Sequence, residues 1–305
     1  MTGEKKPAIL ITGGSGLIGK HLSSALLERG YRVVHLSRTQ NQFGVIRVHR
    51  WDPGKKILDP LVFEDIDIVV HLAGVNLGEK RWTKKRKDEI IRSRVETAGL
   101  IHKVVADNKI RLKGFISASA SGYYGSITSD TIFSENDPSS GDFMSVACRK
   151  GEEAADLFEK DGIRTVKIRS AVVLAKNSLT LSEIMTPVKY GFLARIGSGQ
   201  QFFPWIHITD LCNIYVKAIE DITMRGAYNA VSPQHVTHRE FINTLAHVIG
   251  RPVITVPTVI LKAARGEMSE LILKGSRISS GKITAAGYRF IFTDLHNALE
   301  DALSD

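Results

Sequence analysis

Three glycines spaced three residues apart form the segment of this sequence with the clearest chemical meaning. Gly13, Gly16 and Gly19 stand in ITGGSGLIG, between a short apolar run and a segment with helical periodicity. Glycines at such a strand-to-helix turn permit a tight bend, close approach of a ligand to the backbone, and close packing of helix on strand. The helix that follows presents free amides and the positive end of its dipole, which favour a pyrophosphate. The cofactor contacts predicted from this turn are Gly13, Ser15, Gly16, Leu17, Ile18 and Gly19.

The end of the second predicted strand indicates which dinucleotide is bound. NAD proteins usually place an acidic residue there, against the ribose 2′-hydroxyl. This strand ends in Ser37 and Arg38 instead. A guanidinium and a hydroxyl can both bind a 2′-phosphate, whereas a carboxylate would repel it. The sequence therefore predicts NADP(H), with the alternative that Arg38 is a solvated loop charge.

Two further segments are candidates for cofactor binding. Leu72, Ala73 and Gly74 follow the fourth predicted strand, where small side chains would let a dinucleotide cross the edge of the sheet. Arg94 lies on an apolar helical stripe, a position that requires an anionic partner. That partner is either a phosphate of the cofactor or a carboxylate of the chain such as Glu89.

The elements that must position these residues alternate between strand and helix. Short apolar runs predict strands at 8–12, 31–36, 45–50, 67–72, 114–118, 164–169 and 227–231. Helical spacing predicts a helix after the glycine turn and others at 83–107, 142–160 and 209–220. This alternation is typical of a doubly wound α/β fold of the Rossmann type, with a parallel sheet covered on both faces.

Prolines and glycines interrupt the alternation after residue 175 and indicate a smaller C-terminal lobe. We expect residues 1–175 with 206–231 to form the NADP-binding domain. We expect residues 176–205 with 232–305 to form a substrate lobe.

Composition restricts the class of protein. Two cysteines, Cys148 and Cys212, are too few for a disulfide framework or a zinc site, so we expect a reducing, cytoplasmic location and no metal. The apolar run near the N-terminus is too short for a signal peptide or a membrane span. The net charge of +9 and the cluster Lys84 to Lys87 raise the possibility of a nucleic-acid partner. Helical spacing around that cluster instead favours a solvated helix face, so we do not expect a nucleic-acid partner.

Several motifs together resemble a known family. They are TGGSGLIG at 12–19, HLAG at 71–74, SASASGYYG at 117–125 and FFPWIHITD at 202–210. The chain resembles an extended short-chain dehydrogenase/reductase, and more narrowly an atypical, epimerase-like subfamily with a C-terminal lobe of the DUF1731 type. The resemblance implies a Rossmann domain, NADP(H) and a small-molecule substrate in the cleft between sheet and lobe. It also implies cofactor contacts at Ser37, Arg38, Leu72, Ala73, Glu89 and Arg94.

The same resemblance implies catalytic residues, and here the sequence departs from the pattern. The superfamily typically uses Y-x-x-x-K, in which the lysine holds the nicotinamide ribose and the tyrosine exchanges a proton with the substrate. Lys150 fits the lysine position on a mainly apolar stripe, but Val146 stands four residues earlier. Ser119 or Tyr124 would then hydrogen-bond the reacting oxygen.

An aromatic segment downstream predicts a substrate wall. Gln201, Trp205 and His207, together with Tyr123, offer apolar surface and a few polar groups. Core packing between the lobes explains the same residues equally well.

Two functions follow from these observations. The first is an NADP(H)-dependent, epimerase-like oxidoreductase that acts on a small molecule. The second is a non-catalytic NADPH-binding protein with a regulatory or redox-sensing role, which the absent tyrosine favours.

Overall fold

A parallel sheet of seven strands organises the part of the chain that the structure describes. The computed structural model describes residues 6–39 and 44–304. In these residues the strands are, in chain order, β1 (Ala8–Thr12), β2 (Arg32–Ser37), β3 (Arg47–Arg50), β4 (Ile68–His71), β5 (Gly114–Ala120), β6 (Ile132–Phe133), β7 (Thr165–Ser170), β8 (Val172–Leu174), β9 (Leu193–Ile196), β10 (Trp205–His207), β11 (Gly226–Ala230), β12 (Val253–Val256) and β13 (Arg277–Ile278). The order of the main sheet is β11-β7-β5-β4-β1-β2-β3.

Helices connect these strands and cover the sheet. In the described residues they are α1 (Leu17–Glu28), α2 (Lys84–Asp107), α3 (Phe143–Lys160), α4 (Leu179–Met185), α5 (Ile208–Glu220), α6 (His238–Ile249), α7 (Thr258–Arg265), α8 (Glu270–Leu273), α9 (Gly281–Ala285) and α10 (Leu295–Leu303). Short 3₁₀ turns lie at Pro53–Lys55, Pro60–Phe63, Ser121–Tyr124, Thr186–Tyr190 and Gly266–Ser269. None of the helices in residues 6–39 and 44–304 has both the length and the apolar character that a membrane crossing requires.

The strand order places a ligand site at the C-terminal ends of β1 and β4. The chain runs outward from β1 through β2 to β3, and then returns to the other side of β1 with β4. Neighbouring strands of the main sheet are parallel throughout. In doubly wound sheets the crevice at this reversal of order binds the ligand.

Alternating residues of the strands pack into two cores, one on each face of the sheet. Ile9 and Ile11 of β1 belong to the core that also contains Leu22 of α1. Leu10, between them, belongs to the core that contains Phe158 of α3. The seven predicted strands and the double layer of helices are confirmed, because buried apolar runs of this kind have few alternatives to a sheet covered on both faces.

A third core occupies the C-terminal lobe and adjoins the main sheet along β8 and β10. Leu174 and Trp205 pack in this third core. The next residue of each segment, Ala175 and Ile206, packs in the core beneath α1 and α5 instead. The two paired strands therefore separate the cores, although the division into 1–175 with 206–231 and 176–205 with 232–305 stays a prediction.

Candidate functional site

The glycine turn after β1 has no room for side chains at Gly13 and Gly19. Gly13 has a φ of 71°, and a Cβ atom there would lie 3.0 Å from the backbone carbon and oxygen of Leu72. A Cβ atom at Gly19 would lie 2.5 Å from the Gly13 oxygen. The turn itself is closed by the Gly16 amide, which donates to the Gly13 carbonyl at 3.0 Å. The turn therefore presents bare backbone to the C-terminal edge of the sheet.

Helix α1 begins directly on this turn. Gly16 is its N-cap and provides no side-chain hydrogen bond. The first amides of a helix lack partners within the helix, so those of Leu17, Ile18 and Gly19 face the turn region. Ser15 and Gly16 are exposed there. This arrangement of amides and helix dipole suits a pyrophosphate.

A fourth glycine of the turn, Gly14, was missed by the sequence analysis. A Cβ atom at Gly14 would lie 2.5 Å from the imidazole ring of His35, so only glycine fits against β2. The His35 Nε2 lies 2.8 Å from the Ser23 hydroxyl of α1. The signal in the sequence was the adjacent pair Gly13 and Gly14. The three-residue spacing of glycines identified only Gly13.

The end of β2 lies next to this turn and carries the predicted selectivity residues. Ser37 ends the strand, and Arg38 follows it with an exposed side chain. The Ser37 hydroxyl accepts a hydrogen bond from the Thr39 amide at 3.3 Å. Both residues thus reach the edge where an adenosine ribose would lie in this fold.

The end of β4 is held against β1 and α2 through His71. The Thr12 hydroxyl lies 2.9 Å from His71 Nδ1 and also accepts from the Ala73 amide at 3.1 Å. The Thr97 hydroxyl lies 3.1 Å from His71 Nε2 and donates to the Ser93 carbonyl at 2.6 Å. Because Thr97 has given its hydrogen to Ser93, we assign the imidazole hydrogen to Nε2 and a neutral ring to His71. These bonds fix the backbone at Leu72, Ala73 and Gly74.

Arg94 lies beside this strand end and pairs with backbone carbonyls. Its guanidinium donates to Val75 at 3.2 Å and to Ile90 at 3.0 Å. A Cβ atom at Gly74 would lie 3.4 Å from the Arg94 Cζ atom. Burial lowers the pKa of Arg94. Arg94 forms no ion pair with Glu89 in the described residues, where Glu89 pairs with a different arginine, and the phosphate alternative stays a prediction.

That other arginine is Arg86, in the basic cluster at the start of α2. It is buried and pairs with Glu79 at 3.1 Å and with Glu89 at 3.0 Å. It also donates to the Asn76 carbonyl at 2.9 Å, which ties down the loop after β4. The expectation that this cluster is solvated is therefore wrong for Arg86, whose charge two carboxylates neutralise, while the neighbouring Lys84 and Lys85 are exposed.

The inward face of α3 is broader than the stripe that the sequence predicts, and Lys150 lies outside it. Met144, Cys148 and Glu152 are buried, whereas Lys150 is exposed and Val146 is half-buried. A Cβ atom at Gly122 would meet the side chains of Met144 and Cys148, which shows that this stripe faces the C-terminal end of β5. Ala147 and Ala154 of the stripe that the sequence assigns to Lys150 are buried, while Lys150 itself is exposed. Its contact with a ribose stays a prediction.

A buried polar network lies beneath the end of β5. The Arg169 guanidinium of β7 binds the Glu152 carboxylate through two hydrogen bonds of 2.8 Å. Ser119 donates to the same carboxylate at 2.6 Å. Arg169 also donates to the Tyr124 hydroxyl at 3.0 Å. Ser119 is thus the half-buried end of a network whose other members are buried.

The two adjacent tyrosines occupy different environments, because Tyr124 is buried and Tyr123 is half-buried. Tyr124 is 1% exposed, and its hydroxyl donates to Asn229 at 2.7 Å. Burial raises the pKa of Tyr124 to about 12. The half-buried Tyr123 ring packs on the Arg169 guanidinium, whose Cζ lies 3.4 Å from the ring centroid. The prediction of a catalytic Tyr124 is therefore corrected, because its hydroxyl is enclosed and already paired.

Three residues of the predicted substrate wall lie in the packed interior of the lobe, whereas the fourth, Tyr123, lies in the turn after β5 and its contact with a substrate stays a prediction. Trp205 is fully buried in the third core, and Gln201 is buried and donates to the Ile272 carbonyl at 2.8 Å. His207 caps α5 by accepting from the Thr209 amide at 3.3 Å, and its Nε2 lies 3.0 Å from a carboxylate oxygen of Asp301. Burial lowers the pKa of His207. These three residues support the lobe and do not reach the cleft, so the alternative of core packing is the correct one.

Comparison with known proteins agrees with this geometry. The model of the NAD dependent epimerase/dehydratase family matches residues 9–230. The chain belongs to this family. A second family model, described as a domain of unknown function (DUF1731), matches residues 256–302 in the lobe of this epimerase-family chain.

Relatives of this epimerase-family chain match it over nearly its whole length. The epimerase family protein YfhF of Bacillus subtilis is 33% identical over 301 residues, which cover 97% of this chain and 98% of the relative. The human epimerase family protein SDR39U1 is 32% identical over 305 residues, covering 97% and 99% respectively. The resemblance inferred from the motifs is confirmed.

Solved structures show the same fold. The crystal structure of human epimerase family protein SDR39U1 (isoform 2) with NADPH has a TM-score of 0.85 at 31% identity, covering 97% of this chain and 98% of that chain. The UDP-glucuronic acid 4-epimerase of Bacillus cereus, in complex with UDP-glucuronic acid and NAD, has a TM-score of 0.80 at 21% identity and covers 97% of both chains. The latter likeness concerns the fold alone.

Because the His71 imidazole is neutral in the folded protein, we expect the free energy of unfolding to fall in acid. Burial, and secondarily the charge of Arg94, lower the pKa of His71 to about 4 from its ordinary value of 6.5. The unfolded chain therefore binds more protons than the folded one between these values, and stability falls as the pH falls through them. For His71 the loss between pH 7 and pH 5 amounts to about 2 kcal/mol.

Urea unfolding at several pH values, compared between the wild type and His71→Asn, measures this contribution. Other buried histidines contribute to the slope of both proteins, so the difference isolates His71. The variant is expected to be less stable at pH 7 and to lose about 2 kcal/mol less than the wild type on going to pH 5. Parallel curves for the two proteins would show that His71 titrates normally.

Proposed function

We propose that this protein binds NADP(H) at the C-terminal ends of β1, β2 and β4 and acts as an epimerase-like oxidoreductase on a small molecule. The observation that carries the proposal is the combination of the closed glycine turn with Arg38 at the end of β2. The turn accommodates only bare backbone at Gly13 and Gly19, whose Cβ positions are already filled, and it suits a pyrophosphate. Arg38 supplies a cation where NAD proteins usually have a carboxylate. The human relative at 31% identity, whose structure is with NADPH, supports the choice of cofactor.

The residues after β4 and on α2 have separate roles in binding the cofactor. Leu72, Ala73 and Gly74 provide a backbone path across the edge of the sheet, fixed by the bonds of Thr12. Arg94, next to Gly74, carries a positive charge with only carbonyl partners in the described residues and would attract a phosphate. Glu89 orients Arg86, which holds the loop after β4. Each of these groups acts through position and charge.

Ser119 is the group that we assign to the reacting oxygen. When bound, the nicotinamide supplies or accepts the hydride. A nearby protein group must then donate or accept the proton of the reacting oxygen. Ser119 is half-buried at the end of β5, and its hydroxyl is hydrogen-bonded to Glu152 at 2.6 Å. The Ser119–Glu152 pair can therefore hold a proton at the serine oxygen, a role that the enclosed Tyr124 cannot fill.

The inward stripe of α3 favours a second function, in which the protein binds NADPH without catalysis. This stripe places Met144 and Cys148 near the end of β5, and burial raises the pKa of the Cys148 thiol to about 11. Neither side chain exchanges protons readily at neutral pH, which fits a protein that binds NADPH without turnover. An incubation of the protein with C4-deuterated NADPH and a panel of carbonyl compounds and nucleotide sugars separates the two functions. Tight binding of NADPH with full retention of its deuterium favours binding without turnover.

Replacing Arg38 by alanine tests cofactor selectivity. We expect the affinity for NADPH to fall by about 10- to 100-fold, because one charge-assisted contact to the 2′-phosphate is worth roughly 1.5 to 3 kcal/mol. The affinity for NADH, which lacks this phosphate, should change less than about twofold by the same reasoning. Calorimetric titration of both nucleotides measures the two effects.

Arg32→Ala is the matched control for this experiment. Arg32 is exposed at the opposite end of the same strand, where it lies 3.8 Å from the Asp65 carboxylate. Its loss should leave both affinities unchanged. Equal losses of NADPH and NADH affinity in Arg38→Ala would contradict the assignment of the 2′-phosphate to Arg38.

A further inference from the structure

A second arginine lies beside the residues that we assign to the 2′-phosphate. Arg50 is the last residue of β3, and its register partner on the parallel strand β2 is Ser37. The pairing continues past it, since the Trp51 amide donates to the Ser37 carbonyl at 3.0 Å. Paired residues of neighbouring strands place their side chains on the same face of a sheet, with backbones about 4.8 Å apart. Arg50 and Ser37 therefore share one face at the same edge.

The charge of Arg50 is not neutralised by any residue in the described part of the chain. Its side chain is exposed, and it forms no ion pair or hydrogen bond there. The nearest acid in sequence, Asp52, caps the following 3₁₀ turn by accepting from the Lys55 amide at 3.1 Å. Arg38, one residue beyond Ser37, is likewise exposed. Two exposed arginines and one serine thus lie at a single corner of the sheet.

We propose that Arg50 is a second guanidinium of the 2′-phosphate subsite and determines cofactor specificity together with Arg38. The inference rests on the proposed binding of NADP(H) and extends it to a residue on a different strand. A phosphate monoester carries close to two negative charges at pH 7, because its second pKa is about 6. One guanidinium neutralises half of that charge, and a second one on the neighbouring strand completes it.

The position of Arg50 also explains how the subsite would discriminate. Arg38 lies in the loop after β2, whereas Arg50 is fixed to the sheet by the pairing of β3 with β2. A cation attached to a strand has less freedom to turn away than one on a loop. Arg50 therefore contributes a preorganised positive charge. This charge raises the affinity for NADPH and leaves the affinity for NADH, which lacks the 2′-phosphate, unchanged.

The test compares Arg50→Ala with Arg47→Ala. Arg47 is exposed at the other end of the same four-residue strand, where its register partner is Val34. We expect Arg50→Ala to lose about tenfold or more in NADPH affinity and less than about twofold in NADH affinity. Arg47→Ala should keep both affinities within about twofold of the wild type. Thermal melting of both variants checks the fold, which exposed positions should preserve.

Adenosine 2′,5′-bisphosphate provides a second measurement that does not involve the nicotinamide. Its affinity should fall in Arg50→Ala and in Arg50→Gln, while the affinity for adenosine 5′-monophosphate stays unchanged. If both variants bind NADPH and the bisphosphate as the wild type does, or lose NADPH and NADH affinity equally, the inference is wrong. If the wild-type protein fails to bind NADPH, the proposed function itself is wrong, and the two failures are thereby distinguished.

Discussion

Replacing Arg169 by methionine is expected to lower the free energy of unfolding by about 3 to 5 kcal/mol. The side chains of Arg169 and Glu152 are only 4% and 7% exposed, and two hydrogen bonds of 2.8 Å join them. Removing the arginine leaves a carboxylate in a buried environment with Ser119 as its remaining partner. Burial opposes the charge of Arg169, but the bonds to Glu152 and the charge of Glu152 outweigh it and raise the pKa of Arg169. The buried Arg169–Glu152 ion pair therefore stabilises the folded protein only when both charged residues are present.

The double variant Arg169→Met with Glu152→Leu is the control for this prediction. Replacing both members of a buried ion pair by apolar residues removes the unpaired charge, so most of the lost stability should return. Urea unfolding of the wild type, both single variants and the double variant gives the coupling energy. If the double variant loses as much as the two single losses added together, the two residues do not act as a pair.

The network around Arg169 also shows why the catalytic region was only partly predictable. Glu152 and Arg169 are 17 residues apart and lie on different elements, and no sequence pattern pairs them. A signal was nevertheless present. Cys148, Glu152 and Ala155 recur at helical spacing, and all three are buried on one stripe of α3. A carboxylate on an apolar stripe requires a buried partner, and Arg169 in the mostly buried strand β7 was available.

The orientation of Lys150 on α3 was less predictable for a related reason. The stripe that the sequence assigns to it also contains Ala147 and Ala154, and both are buried. Lys150 itself is exposed, and Met144, Cys148 and Ala155 also belong to the buried face. A charge on a flexible stem is tolerated at many positions, so a single lysine carries little information about orientation.

The cofactor edge of the sheet was predictable because local sequence determines it. The glycines of the turn, the buried run of β1 and the first residues of α1 are consecutive, and each position has a steric reason. The lobe was less predictable. Strands β9 and β12 pair over a separation of about sixty residues, and apart from the buried Leu193 their side chains are partly or fully exposed, with no alternating pattern that would reveal them. Trp205 and His207 were consequently ambiguous until the third core was seen.

Gly19→Ala is expected to lower the affinity for NADPH by at least about a hundredfold. The added Cβ atom would lie 2.5 Å from the Gly13 oxygen and 2.6 Å from the Gly14 Cα atom, both of which are backbone atoms. The turn must open to accept it, and the amides that face the pyrophosphate then diverge. Losing two charge-assisted bonds at roughly 1.5 to 3 kcal/mol each gives a loss of this size. Overpacking should also lower the free energy of unfolding by about 1 to 3 kcal/mol.

Gly99→Ala provides the same chemical change on another helix without the steric conflict. Gly99 lies within α2, and a Cβ atom there would meet no atom within 4 Å. We expect unchanged NADPH affinity and a gain in stability of about 0.5 to 1 kcal/mol, because alanine is the better helix former. Fluorescence titration with NADPH and urea unfolding, applied to both variants, separate binding from folding. A folded Gly19→Ala protein with wild-type affinity would mean that the dinucleotide does not rest on this turn, since no side chain could be added there without displacing the amides that hold it.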